Sequence, residues 1–517
     1  MNTKIINSFY VLLLSIVSFT INYFYGSIGV LPIDTFAFFD SGFRLNNGDL
    51  PFVDYWTISG PFIDILQSIY FSFFGVSWKS YILNGSIINL IITIVSYFFF
   101  KNIGLNSEFS FFYGLCVAFL ANPSMGTPFP DYYSAFFSLF AIVSFLYGIK
   151  NEKKLFLFLI PIFLCIAFFC KQTPAAYIII FFLFNFLFYF LINKNLNFLK
   201  PIIFGSVISI SILSFLIWYN KIDINLIITQ YFLYPRTIGL SRLSELNLTF
   251  NKAISTFKLI YVVLLPLIFI FIKNIFVKKR YFQEKIFFIN FNIILFSLLL
   301  IFHQWLTLNF IFIFFLIPYL CVVVQINFEN KKILSILLAC FCLIATTKYH
   351  LRFNEGRKML NLENVNLSNF HHGENISSKL KGLKWITRDY DSNKDQELER
   401  LALFNNILKN EEKKIMFLSN YQFFSATLNK HLHSPNRWYG GIVAHPTKDN
   451  PFYHEYLIFN YNLILKNKIE IIVMDKKLGK YHFDLFGEIM NKFPSGCANI
   501  NKSNKMLITY DITNCHY

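Results

Sequence analysis

The sequence predicts a polytopic α-helical membrane protein of about eleven transmembrane helices followed by a small α/β domain. Three observations lead there. The 517 residues are 55% hydrophobic and 20% aromatic, with only 15% charged. A mean hydropathy of +0.49 means more apolar surface than a soluble domain of this size can hide. Apolar runs long enough to cross a bilayer recur as far as residue 350, and beyond them the composition becomes that of an ordinary globular chain. A transmembrane part, 1–350, with an outer loop at 32–77, and an extracytoplasmic α/β domain, 351–517, are therefore expected.

A hydrocarbon core about 30 Å thick takes about 20 apolar residues at 1.5 Å each. That ruler marks spans near 9–31, 78–100, 107–122, 132–149, 155–170, 174–193, 200–219, 253–272, 286–304, 306–326 and 332–350. The first follows Lys4, is too long for a signal-peptide core and precedes no small-x-small cleavage site, so it reads as an uncleaved span. The short run from Gly60 to Gly75, interrupted by Asp64 and Gln67, reads as a helix lying at the interface. An odd number of spans puts the termini on opposite sides. With the N-terminus inside, the cytoplasmic loops collect Lys101, Lys150, Lys153, Lys154, Lys194, Lys200 and the KKR run ending at Arg280, more basic residues than the outer loops hold. This asymmetry predicts a cytoplasmic N-terminus and a C-terminal domain outside the plasma membrane. It also accounts for the net charge of +17 without invoking nucleic acid.

In the C-terminal region, KKIMFLSNY from Lys413 and IEIIVMD from Ile469 read as buried strands, and LERLALFNNILKN from Leu398 has helical spacing. Cys497 and Cys515 flank NKMLITYDI, and an oxidising compartment would permit a disulfide between them, though spacing alone does not decide it. The other six cysteines sit in apolar runs as small hydrophobes. The pairs His371-His372 and His431-x-His433 lack further ligands at metal spacing, so no metal site is expected.

The chemistry points to the first outer loop. Asp34, Asp40, Asp49, Asp54 and Asp64 all fall between residues 34 and 75, in a chain with 29 acidic residues. In residues 34–47, Phe36, Phe39 and Phe43 share one helical face, and Asp40 and Arg44 pair at i, i+4 on another. This describes a helix resting aromatics on the membrane with its charges in water, and an anchoring helix alone would satisfy that much. Charged groups recur at the outer ends of other spans: Asp131 before the fourth, Lys171 between the fifth and sixth, and Tyr231, Arg236 and Arg242 after the seventh. Ionisable groups at membrane depth are costly and commonly functional. His303 and Trp305 could line the same region or form an interfacial belt. Arg437, Trp438 and Tyr439 are candidates for stacking on a sugar.

These stretches, in this order, resemble the polyprenyl-phosphate-dependent glycosyltransferases of the GT-C superfamily, which includes protein O-mannosyltransferases and lipid A aminoarabinose transferases. The resemblance rests on the acid, short helix and GDLPFVDYWTISGP of the first loop, on PFPDYYSAFFSLFAIVSFL, on CKQTPAAYIII, and on KIMFLSNYQFFSATLNKHLHSPNRWYGG followed by NKIEIIVMD. The chain departs from the family at Gln172, where a Gly is usual, and at Asp34-Thr35, where the family often has Asp-Glu. The resemblance implies a polyprenyl-phosphate sugar as donor, membrane lipids as surroundings, and an envelope lipid, glycan or protein as acceptor. It leaves a divalent metal open.

Such a transfer needs one base for the acceptor hydroxyl, because a lipid phosphate leaves without a general acid. One carboxylate is enough, unlike the paired acids of glycoside hydrolysis. Asp34 is the expected base. Asp131 is the second catalytic candidate, orienting Lys171 or holding a sugar hydroxyl. Lys171, Arg236 and Arg242 are expected to steady the leaving phosphate, with Tyr231, Asp40 and Asp54 as further substrate contacts. A transporter or flippase of lipid-linked sugars is the competing reading. Transporters favour internal repeats and polar sites at the bilayer midplane, whereas here no repeat is evident and the ionisable residues sit at span ends. A non-catalytic assembly protein would not require the first-loop acid.

Overall fold

The computed structural model describes residues 3–121, 126–194, 196–278, 280–307, 313–328 and 331–516. Part of the loop before Asp131 (122–125), residues 308–312 of the tenth expected span, and Lys279 lie outside them.

Each of the eleven expected spans has a helix. In chain order the helices are α1 (Thr3–Gly26), α2 (Pro32–Thr35), α3 (Ala37–Asn46), α4 (Phe62–Phe74), α5 (Trp78–Asn102), α6 (Ser107–Leu120), α7 (Pro130–Asn151), α8 (Lys154–Cys170), α9 (Gln172–Asn193), α10 (Leu199–Tyr219), α11 (Ile224–Ile227), α12 (Tyr234–Ser244), α13 (Lys258–Val277), α14 (Lys285–Thr307), α15 (Leu316–Asn327) and α16 (Lys332–Tyr349). Among the described residues, eight helices are long and apolar enough to cross a membrane, and α6, α8 and α15 are shorter apolar helices. Helix is the only open-chain conformation that satisfies its own backbone in hydrocarbon, so long apolar runs leave the chain little choice. Local signals set the ends. The Asn106 side chain accepts from Phe109 N at 2.9 Å to cap α6, Pro130 opens α7, and Glu152 ends it at φ 54°.

By contact the chain divides into two units, one of residues 1–26, 85–216 and 242–359, the other of 27–84, 217–241 and 360–517. The first is the helical bundle. Since apolar side chains gain little by leaving lipid for each other, buried amides tie its helices together. Asn22 Nδ2 donates to Ser86 Oγ and to Gly126 O, both at 3.1 Å. Asn89 Nδ2 reaches Ser18 O at 2.8 Å and Ala118 O at 3.0 Å, joining α5 to α1 and α6. Asn185 donates to Asn292 at 2.6 Å between α9 and α14.

The second unit is built on a four-stranded sheet, with β1 (His371–His372) and β2 (Lys384–Trp385) forming a separate small ribbon. The larger sheet has the order β3-β4-β6-β5, from β3 (Ile415–Leu418), β4 (Ile471–Asp475), β5 (Asn499–Ser503) and β6 (Leu507–Asp511). The runs read as strands from alternation are β3 and β4, parallel with Ile415 opposite Ile471. The helical run forms α18 (Lys394–Asn410), after α17 (Arg388–Ser392); α19 (Phe423–Leu428), α20 (Tyr453–Asn467) and α21 (Lys480–Met490) complete the unit. Cys497 and Cys515 are joined in a disulfide. The core under the sheet is not made by the C-terminal segment alone. Trp56, Ile58 and Tyr234 belong to the same buried cluster as Met416, Ile472, Tyr456 and Phe486.

The first-loop segment is bound into this unit along its length. Gly29 N and Val30 N donate to Lys384 O and Ile386 O at 3.0 and 2.9 Å, and Trp56 N to Pro435 O at 2.8 Å. Helices α3 and α4 approach so closely at Gly42 that a Cβ there would lie 2.6 Å from Gln67 Cγ. Here an expectation fails: Phe36, Phe39 and Phe43 are buried in protein, not laid on a membrane. Phe36 packs on Trp385 and Phe423, and Phe39 meets Phe71 and Tyr81 edge-on. The charged face of α3 is buried as well, because Arg44 finds partners inside. Helix α4 is inverted, burying Asp64, Gln67 and Phe71 while exposing Ile65, Ile69, Phe73 and Phe74. That outward apolar face is the pattern of a helix at a lipid surface.

Asp64 and Arg437, both fully buried, lock the loop to the C-terminal segment. Arg437 Nη1 lies 3.0 Å from each Asp64 oxygen, Ser41 and Tyr55 donate to the same carboxylate at 2.6 and 3.1 Å, and Arg437 Nη2 donates to Ser59. Arg437 is thus spent on the fold and is not a stacking surface for sugar. Removing one partner strands the other's charge. Arg437→Met is expected to destabilise this unit by roughly 3–5 kcal/mol, read as a lower melting temperature in detergent. Asp64→Leu with Arg437→Met should recover most of that loss; if the double variant melts no higher than the single, the pair is not the cause.

Candidate functional site

In the helical bundle, two side chains, Lys171 and His303, meet around the carboxylate of Asp131, and four helix ends bring the three together. Asp131 lies in the first turn of α7, His303 near the end of α14, and Lys171 at the break between α8 and α9. Pro174 explains the break, since the residue before a proline is steered out of the helical region; Thr173 is extended at φ −116°, ψ 135°, as is Lys171 at φ −159°. Lys171 Nζ donates to Asp131 Oδ1 at 2.8 Å and Oδ2 at 2.7 Å, and Ser134 Oγ donates to Lys171 O at 3.2 Å. His303 Nε2 lies 3.0 Å from Asp131 Oδ1. Asp131 and His303 are 3% and 2% exposed and Lys171 is 20% exposed, so the lysine is the member that water or a ligand can reach. Arg242, half-buried, adds its charge to the same field, interacting with Asp131 and His303. Burial draws the Arg242 guanidinium below its ordinary value, and Asp131 opposes that.

The arrangement has a chemical consequence. An ammonium has three N–H donors, and two are taken by Asp131. The third is not claimed by any described group, so Lys171 is a fixed cation with one donor to offer. With Nε2 donating to Asp131, His303 Nδ1 carries the lone pair and has no partner among the described residues. Of the two roles expected for Asp131, orienting Lys171 or holding a sugar hydroxyl, the first requires a bond to the ammonium, and that bond is present. His303, weighed in sequence only as a lining residue, is the third member, and nothing in its neighbourhood in the chain marks it out beyond its place at a span end.

The remaining candidates belong to the sheet-containing unit. Asp34 sits half-buried in the short helix α2, its N–H bonded to Leu31 O at 2.9 Å. Tyr231 is buried against Phe52, beside Gln230, whose side chain joins Thr57 N and Phe52 O, each at 2.8 Å. Arg236 is exposed on α12. Asp40 and Asp54, expected as substrate contacts, are both buried around Arg44. Arg44 holds Asp49 at 2.7 Å, Ser434 O at 2.6 Å and Asp54 O at 2.8 Å, with its guanidinium over the Tyr55 ring. The Asp54 carboxylate takes Lys466 Nζ at 2.6 Å and Leu50 N at 2.8 Å. Asp40 receives the Ser425 hydroxyl, while its Oδ2 lies 3.9 Å from Arg44. The bonds these two acids make fix the loop. Tyr439 is likewise buried, its hydroxyl paired with Ser434 at 2.8 Å. Among the described residues, no group of three or more His, Cys, Asp or Glu is arranged to hold a metal ion.

No family model and no curated protein matches the chain. Among solved structures, the crystal structure of ArnT from Cupriavidus metallidurans bound to undecaprenyl phosphate is similar over 97% of each chain, at 9% identity and a TM-score of 0.42.

Asp40 carries a pH signature. Burial raises its carboxyl, with Asp49 and Asp64 adding to this and Arg44 and Ser425 opposing, for a value of about 6. Arg44 can spare this charge because Asp49 lies closer. From roughly pH 4, the ordinary carboxylate range, up to about 6, the folded chain holds a proton that the unfolded chain releases. The Asp40 contribution to stability is therefore present in acid and lost as pH rises through that window. Asp40→Asn should flatten this part of the stability profile and melt higher than wild type at pH 8, by about 2–3 kcal/mol at most. Parallel wild-type and variant melting curves between pH 4 and 8 would contradict it.

Proposed function

We propose that the protein is an integral membrane glycosyltransferase that moves a sugar from a polyprenyl-phosphate donor to an envelope lipid, glycan or protein on the outer face of the plasma membrane, with Asp34 as general base. The N-terminus is then cytoplasmic and the sheet-containing domain extracytoplasmic. The observation that carries this reading is the Lys171–Asp131–His303 cluster, a lysine pinned at the end of an apolar bundle with one donor unspent and Arg242 in the same field. The Cys497–Cys515 disulfide supports an oxidising side for the C-terminal domain.

In the proposed reaction, Asp34 takes the proton of the acceptor hydroxyl as its oxygen bonds to the anomeric carbon. The bond from that carbon to the phosphate oxygen breaks, and its electron pair leaves with the lipid phosphate. Charge grows on the phosphate, and Lys171, Arg236 and Arg242 receive it. Asp131 and His303 hold the ammonium in place so that little reorganisation is needed as the bond breaks. Tyr231, Asp40 and Asp54 act through the loop they hold in shape.

The test is complementation of a deletion strain, read by mass spectrometry of envelope glycans. Asp34→Asn should leave membrane abundance unchanged and reduce transfer by roughly 10²–10⁴-fold. Lys171→Met should reduce it by roughly 10²–10³-fold. An Asp34→Asn chain that restores the glycan in full would exclude the base assignment and favour a transporter or scaffold.

A further inference from the structure

At one end of the helical bundle a buried aromatic column carries an exposed cation beside three of its four rings. Phe314 stacks on Tyr349 with ring centroids 3.7 Å apart, and it also meets Phe353 at 5.6 Å and Phe257 at 6.5 Å. All four rings are buried. Lys258 follows Phe257, Lys348 precedes Tyr349 and Arg352 precedes Phe353, and all three basic residues are exposed. The column thus fixes where the cations emerge, and they emerge together: Lys348 feels the like charges of both Lys258 and Arg352. Arg352 also lies over the Phe353 ring at 5.5 Å. None of the three forms an ion pair with an acid among the described residues. The nearby Glu355 faces His350 at 3.6 Å and Tyr25 at 3.4 Å.

The surroundings name the counter-ion. Leu343, Ile344, Leu351, Ile254, Val262 and Leu265 are all exposed, on or beside helices with spanning composition. They form a surface for acyl chains that runs up to the three charges. A cation group at the end of a lipid-facing surface sits at headgroup depth, where phosphate is the abundant anion. Like charges gathered by packing gain most from an anion placed between them.

We propose that Lys258, Lys348 and Arg352 form a binding site for the phosphate of an anionic bilayer phospholipid whose chains lie along α13 and α16. The site does not depend on the transferase reading and shares no residue with the Lys171–Asp131–His303 cluster. The test uses the full-length protein in detergent, with native mass spectrometry during titration of phosphatidylglycerol and, separately, phosphatidylcholine. Wild type should retain the anionic lipid in preference to the zwitterionic one. The variant K258Q/K348Q/R352Q should bind phosphatidylglycerol at least tenfold more weakly, each cation contributing on the order of fivefold. The charge-conserving K258R/K348R/R352K should bind as wild type does, which separates lost charge from lost fold. Three results would overturn the site: unchanged phosphatidylglycerol binding in the Gln variant, equal binding of phosphatidylcholine by wild type, or equal losses in both variants. A polyprenyl phosphate titrated in parallel gives a fourth. Should the Gln variant lose only that lipid, the cations serve an isoprenoid and not a phospholipid.

Discussion

A carboxylate placed in an apolar helix bundle must be neutralised where it stands, and the bundle's chemistry follows from how Asp131 meets that requirement. Desolvation makes a lone charge there very costly, so Lys171 is held on both of its oxygens and His303 closes the other side. The same bonds that make the acid tolerable remove the lysine's freedom, and a long flexible cation becomes a donor at a fixed place. The helix break that delivers Lys171 is written locally, in the proline three residues on, whereas His303 arrives from a helix more than a hundred residues later.

The sheet-containing unit obeys the same rule with different partners. First-loop acids are matched to a cation or hydroxyl: Asp49 and Asp40 around Arg44, Asp54 with Lys466, and Asp64 with Arg437. Two of those cations come from beyond residue 430. Acidic density that looks catalytic in the sequence is here largely the means by which an early loop is fastened to a late domain. Breaking a buried pair strands an uncompensated charge, so the buried bonds of Asp64 with Arg437 hold the loop to its late partner.

The legible parts of the fold were those set by short-range pattern. Apolar runs marked the eight long apolar helices among the described residues, and alternation marked β3 and β4, because both depend on neighbours within a few residues. The aromatic face of α3 was misread because periodicity reports that a face is apolar but not what covers it; Trp385 and Phe423, far along the chain, do so in place of lipid. Arg437 was misread for the same reason, since a basic residue beside two aromatics says nothing of a carboxylate more than three hundred positions earlier. The pairing of Asp131 with Lys171 could be anticipated because both stand at span ends on one side, and helix geometry alone restricts how such ends can meet. Spacing could not decide the bond between Cys497 and Cys515, whereas the β5–β6 hairpin between them brings the two together.

The shared core beneath the sheet bears on where the chain can be divided. Trp56 packs against Tyr234, Tyr456 and Phe459, so a fragment starting at residue 360 would keep β1 to β6 yet leave a bare hydrophobic hollow on one side. The strands arrive later in synthesis and close over residues made long before. The segment that looks like a detachable tail builds most of that core itself and closes it over Trp56, Ile58 and Tyr234 from earlier in the chain.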